Sequence, residues 1–77
     1  MKEPKVGDIV EVREARYSLY TMVGDIGIIT RLADKNGVLR MKILKSPNKN
    51  MKLGVDVPVM KGKIKILRHQ SNEERIL

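Results

Sequence analysis

The chain has 77 residues, 16 basic against 9 acidic side chains, a formal charge of +7, no cysteine and one histidine, His69. This length holds one small domain with a thin core, the lack of cysteine excludes disulfides and thiolate zinc sites, and no apolar run approaches the roughly 20 residues of a membrane-spanning helix. Met1-Lys2-Glu3-Pro4 also lacks the apolar segment of a signal peptide, so a cytoplasmic protein without membrane association is expected.

Lys5-Val6-Gly7-Asp8-Ile9-Val10-Glu11-Val12-Arg13 places Val6, Val10 and Val12 on one parity and Glu11 and Arg13 on the other, which predicts a half-buried strand begun at a Gly-Asp turn. A loop over 14–22 leads to Val23-Gly24-Asp25-Ile26-Gly27-Ile28-Ile29, read as a second strand over about 26–32 whose glycines allow positive φ or a bulge. Asp34-Lys35-Asn36-Gly37 is a hairpin turn. From Val38 to Leu44 the alternation predicts a third strand, with Leu39, Met41 and Ile43 inward and Arg40 and Lys42 outward. After the polar loop 46–50, a weaker strand within 51–59 carries Pro58, which assigns it to an edge. Met60-Lys61-Gly62 reads as a tight turn, and Lys63-Ile64-Lys65-Ile66-Leu67 alternates again with its lysines outward. Ser71-Asn72-Glu73-Glu74 has a capping-box pattern, with room for one helical turn or a frayed tail. No internal repeat or linker interrupts the chain. The expectation is an all-β domain over 1–68, five short strands closing into a small barrel, followed by a tail over 69–77.

The succession Gly7-Asp8 with Val10 and Val12, then Gly24, Gly27 and Ile29, then Leu39 and Met41 resembles the KOW-type segment of SH3-like barrels in translation and transcription proteins. The longer loop from Ala15 to Val23, with Arg16, Tyr17 and Tyr20 before Val-Gly-x-x-Gly, is similar to SH3-like accessory subunits of redox and photosynthetic complexes and to small phage-encoded SH3-like proteins. The resemblance covers about residues 5–67. It implies an SH3-like five-stranded barrel, and its glycines and valines specify that frame without naming a ligand.

Catalysis is not expected. Three serines, two threonines and a lone histidine supply no nucleophile and base pair. Asp8 and Asp25 each follow a glycine, where a carboxylate satisfies turn backbone groups. Gly24-Asp25-Ile26-Gly27 lacks the Lys-Ser/Thr and the helix of a phosphate loop. His69 is expected to be exposed past the last strand. No cofactor or metal is implied.

Two sets of residues point to binding. The loop carrying Arg13, Arg16, Tyr17 and Tyr20 holds both tyrosines of the chain, and tyrosine and arginine offer large contact area and base stacking. One of its side chains could equally cap the end of the barrel. The other set is basic: residues 35–77 carry a net charge of +8 against −1 for residues 1–34. Arg40, Lys42, Lys45, Lys49, Lys52, Lys61, Lys63, Lys65 and Arg68 form a site only where their outward faces merge, the alternative being a solvated lysine-rich surface. The leading expectation is a non-enzymatic module that contacts nucleic acid, or a nucleic-acid-handling machine such as RNA polymerase or the ribosome. The alternative is a protein-interaction module, an accessory subunit or phage-encoded modulator of a host enzyme. There the tyrosine loop and Ile76-Leu77 would make the contact and the lysines would steer an acidic surface.

Overall fold

A computed structural model describes residues 3–15 and 20–69. It contains β1 (Ile9–Val12), β2 (Ile26–Arg31), β3 (Val38–Lys45), β4 (Asp56–Met60), a 3-10 turn (Lys61–Lys63) and β5 (Ile64–Arg68). All pairings are antiparallel and the sheet order is β4-β3-β2-β1-β5. Pro58 lies on the edge strand β4, where its missing N–H costs the ladder least. The capping pattern at Ser71 lies outside the described residues. Among those residues, no helix is long and apolar enough to cross a membrane.

Alternation builds the core. Val10 and Val12 of β1, Ile29 of β2, Leu39, Met41 and Ile43 of β3, and Val57 and Val59 of β4 are buried together, and Ile64 and Ile66 of β5 pack against them. At β2 the inward position opposite Ile43 is Gly27. An ideal Cβ there would lie 2.6 Å from the Lys42 carbonyl oxygen and 2.8 Å from Met41 Sδ, so only glycine lets β2 and β3 approach this closely.

Several boundaries differ from the sequence expectation: β2 ends at Arg31, β3 runs to Lys45, β4 to Met60 and β5 to Arg68. The first strand begins at Ile9, and Val6 is 52% exposed in the preceding turn, its matching parity notwithstanding. Lys63 belongs to the 3-10 turn instead of β5.

One short turn motif recurs. Lys5-Val6-Gly7-Asp8, Met22-Val23-Gly24-Asp25 and Lys52-Leu53-Gly54-Val55 each turn the chain just before a strand, with glycine φ values of 95°, 99° and 84°. That left-handed backbone is open to glycine and costly for other residues. Each glycine N–H donates to the neighbouring strand, at Ile29, Val12 and Ile43, and the same three residues donate back to the residue after the glycine. In the first two turns that residue is an aspartate. Asp8 Oδ2 accepts the Lys5 N–H at 2.8 Å and Asp25 Oδ2 accepts the Met22 N–H at 3.0 Å, both carboxylates being fully buried. The turn-satisfying role expected for both aspartates is what the structure shows. A four-residue recurrence is too short to register as a periodic repeat.

Candidate nucleic-acid interface

The residues alternating with the core form the outward face. On β3 they are Arg40, Lys42 and Leu44, with Lys45 ending the strand. Register then fixes their neighbours. Lys42 lies between Asp56 of β4 and Ile28 of β2, Ile28 lies opposite Ile9, and Ile9 lies opposite Arg68. A second rung runs from Lys45 through Ile26 and Glu11 to Lys65. The basic residues of β3 and β5 therefore share one face, but β1 and β2 stand between them. Three strand spacings amount to about 14 Å, filled by isoleucines and Glu11.

One basic group spans β2 and β3. Arg31 and Arg40 are direct partners across the pair, beside a register shift between Ile29 and Arg31, with Lys42 and Lys45 further along β3. Like charges placed opposite one another on adjacent strands destabilise the pair. An anion bridging them removes the repulsion and gains charge-assisted hydrogen bonds. The nearby acid is Asp56. Its carboxylate accepts the Thr30 hydroxyl at 2.9 Å, and Arg40 Nη2 reaches only the Asp56 backbone carbonyl, at a long 3.5 Å.

The other candidates lie elsewhere. Lys61 and Lys63 sit on the 3-10 turn and pair with Glu3 and with Glu14, the latter at 3.0 Å. Those acids come from the nearly neutral first half, so the fold returns part of the positive charge to local pairs. Arg13 is exposed and lines a cleft of about 360 Å3 together with Glu14, Thr21 and Met22. Tyr20 is 57% exposed and lines an adjoining cleft of about 350 Å3. Met22, Met51, Val55 and Val57 supply its apolar side, and Thr21, Asn48, Asn50 and Lys52 its polar side. Arg16 and Tyr17 lie outside the described residues.

Asp25 positions this second cleft. Besides the Met22 N–H it accepts the Ser46 hydroxyl at 2.5 Å through Oδ1, and Ser46 Oγ in turn accepts the Asn48 N–H at 3.1 Å. Asn48 then holds Asn50, whose N–H donates to its side-chain oxygen at 3.0 Å. Both walls thus hang from one buried carboxylate. Asp8 has a comparable distant partner, His69, whose Nδ1 lies 3.1 Å from Oδ2. The histidine is exposed as expected and also anchored.

Sequence reasoning did not single out Arg31, Met22, Asn50 or Met51 for binding. Arg31 stands opposite Arg40 only because of a register shift, which alternation does not encode. Met51 and Asn50 reach the cleft through the folding back of the β3–β4 loop, for which no spacing rule exists. Among the described residues, no group of three or more His, Cys, Asp or Glu side chains converges in a way that could hold a metal ion. No protein-family profile, curated protein or solved structure matches the chain.

Proposed function

We propose that this chain is a non-enzymatic SH3-like barrel that binds nucleic acid through its phosphate backbone, with Arg31, Arg40, Lys42 and Lys45 at the centre of the contact. The observation that carries the reading is the Arg31–Arg40 cross-strand pair, a like-charge arrangement that calls for an anion, extended by two lysines along β3. Lys65 and Arg68 lie on the same face and lengthen the positive track beyond the isoleucines.

Barrel closure is supported by chain connectivity. β4 and β5 are the two edges of the sheet order, yet only the three residues of the 3-10 turn join them. From Met60 to Ile64 the chain reaches at most about 14 Å, whereas four strand spacings in a flat sheet come to about 19 Å. The sheet must curl to let that connection close. Curling turns the basic side chains outward on a convex surface, suited to a phosphate backbone passing over it.

Among the described residues, two hydroxyls and the imidazole are in structural use, which supports a binding role. Ser46 is bonded to Asp25, Thr30 to Asp56, and His69 to Asp8. Fluorescence anisotropy with a labelled DNA or RNA of about 12 nucleotides tests the proposal. The wild type is expected to bind at low salt, and Arg40→Glu combined with Lys42→Glu to weaken binding by more than about 10-fold. Undiminished binding by the double variant would refute the assignment of this face.

One observation favours the alternative of an acidic protein partner. Ile9, Ile26 and Ile28 form a half-buried apolar strip on the same outward face, with Leu44 and Leu67 at 44% and 45% exposure. A protein partner would cover that strip. Ile28→Glu separates the readings, because it would abolish a protein contact while reducing nucleic-acid binding only modestly.

A further inference from the structure

We infer that Asn36 is a site of covalent self-modification: the Gly37 backbone nitrogen attacks its side-chain amide and converts it to a carboxylate, and Asp34 sets the rate by holding the turn closed. The site is the tip of the β2–β3 hairpin and does not depend on what the basic face binds. The turn itself creates the reactive pair. Gly37 has a φ of 80°, a left-handed backbone that favours glycine, and a Cβ built at this position would meet nothing within 4 Å. The residue that closes the turn therefore leaves its amide nitrogen without a side-chain shield, directly after an exposed asparagine. Of Asn36, Asn48, Asn50 and Asn72, Asn36 alone precedes a glycine.

The chemistry needs only hydroxide and water. Hydroxide takes the Gly37 amide proton, the nitrogen bonds to Asn36 Cγ, and the Cγ–Nδ2 bond breaks as ammonia leaves with a proton returned by water. Water then opens the resulting succinimide at either carbonyl. Cleavage between the nitrogen and Cγ leaves an aspartate on an unchanged backbone. Cleavage between the nitrogen and the main-chain carbonyl carbon leaves an isoaspartate, whose backbone runs through the side chain and is one atom longer.

Asp34 opposes the first step. Its carbonyl accepts the Gly37 N–H at 3.0 Å, and its Oδ1 accepts the N–H of Asn36 at 2.8 Å and of Val38 at 3.2 Å. These bonds tie down the attacking nitrogen and fix the backbone on both sides of it, so ring closure proceeds from a locally opened turn. The observed rate is then the intrinsic rate multiplied by the open fraction. The Gly37 carbonyl in turn accepts the Lys61 N–H at 2.8 Å, which ties the hairpin tip to the 3-10 turn between β4 and β5. The extra backbone atom of an isoaspartate displaces Gly37 and breaks that tie.

The test is peptide mapping by mass spectrometry after incubation of the full chain in mildly alkaline buffer. Conversion at residue 36 is followed in the wild type, in Asp34→Ala, in Asp34→Asn and in the wild type unfolded by guanidinium chloride, with circular dichroism to confirm that both variants fold. Native wild type should convert slowest and the unfolded chain fastest. Asp34→Ala should convert roughly 3- to 10-fold faster than wild type, because two hydrogen bonds that close the turn are lost. Asp34→Asn keeps an acceptor oxygen and should stay within about 2-fold of wild type. Equal rates in native and unfolded wild type, or in wild type and Asp34→Ala, overturn the control by Asp34, and an intact Asn36 in every sample overturns the site. The isolated isoaspartate form should unfold at lower denaturant than Asn36→Asp, which carries the same charge without the added backbone atom. Equal midpoints overturn the link through Lys61.

Discussion

Asp25 ties separate segments together, since it fixes the turn before β2 and the β3–β4 loop and hence both walls of the Tyr20 cleft. Leaving buried donors without their acceptor costs about 1–3 kcal/mol for each group. Asp25→Ala is therefore expected to lower unfolding free energy by at least about 2 kcal/mol in urea titration, whereas Asp34→Ala, at an exposed turn, should cost about 1 kcal/mol or less. Gly27→Ala should also destabilise, by about 1–3 kcal/mol, because its Cβ would meet backbone as well as the Met41 side chain. The local half of these roles was legible in the sequence. An aspartate after a turn glycine predicts a bond to nearby backbone, and both Asp8 and Asp25 make it. Their second partners, His69 and Ser46, lie 61 and 21 residues away, where spacing carries no information.

Alternation matches the strands best where it is long. β3 shows inward Leu39, Met41 and Ile43 and outward Arg40 and Lys42, as the pattern requires. Val6 shares the parity of Val10, so alternation alone extends β1 too far toward the N-terminus, although the Gly7-Asp8 turn separates the two residues. Alternation likewise places Lys63 in β5, whereas the backbone keeps a 3-10 turn through Lys61–Lys63. The exposed pairs of that turn have a testable weight. Glu14→Gln breaks the contact with Lys63 yet should change stability by less than about 1 kcal/mol in thermal or urea unfolding, since both side chains are well solvated. The same substitution frees a cation and should modestly strengthen binding to a polyanion at low salt.

Across the whole molecule, the sequence showed the imbalance of charge between the two halves but not its arrangement. Antiparallel pairing in the order β4-β3-β2-β1-β5 sets the basic residues of β3 and β5 on one face with two strands between them. It also brings Arg31, from the net-negative half, against Arg40. Folding then sends Glu3 and Glu14 to Lys61 and Lys63, while Arg31, Arg40, Lys42 and Lys45 are grouped across β2 and β3. A surface of this kind holds phosphates by displacing their counterions, and that mechanism has a thermodynamic signature. The most direct test is the salt dependence of binding to a single-stranded oligonucleotide, followed by anisotropy from about 50 to 200 mM salt. Engagement of phosphates by Arg31, Arg40, Lys42 and Lys45 predicts a log–log slope of about −3, falling by about 1.4 units in Arg40→Ala/Lys42→Ala. A slope near zero, or no binding at the lowest salt, would contradict the account.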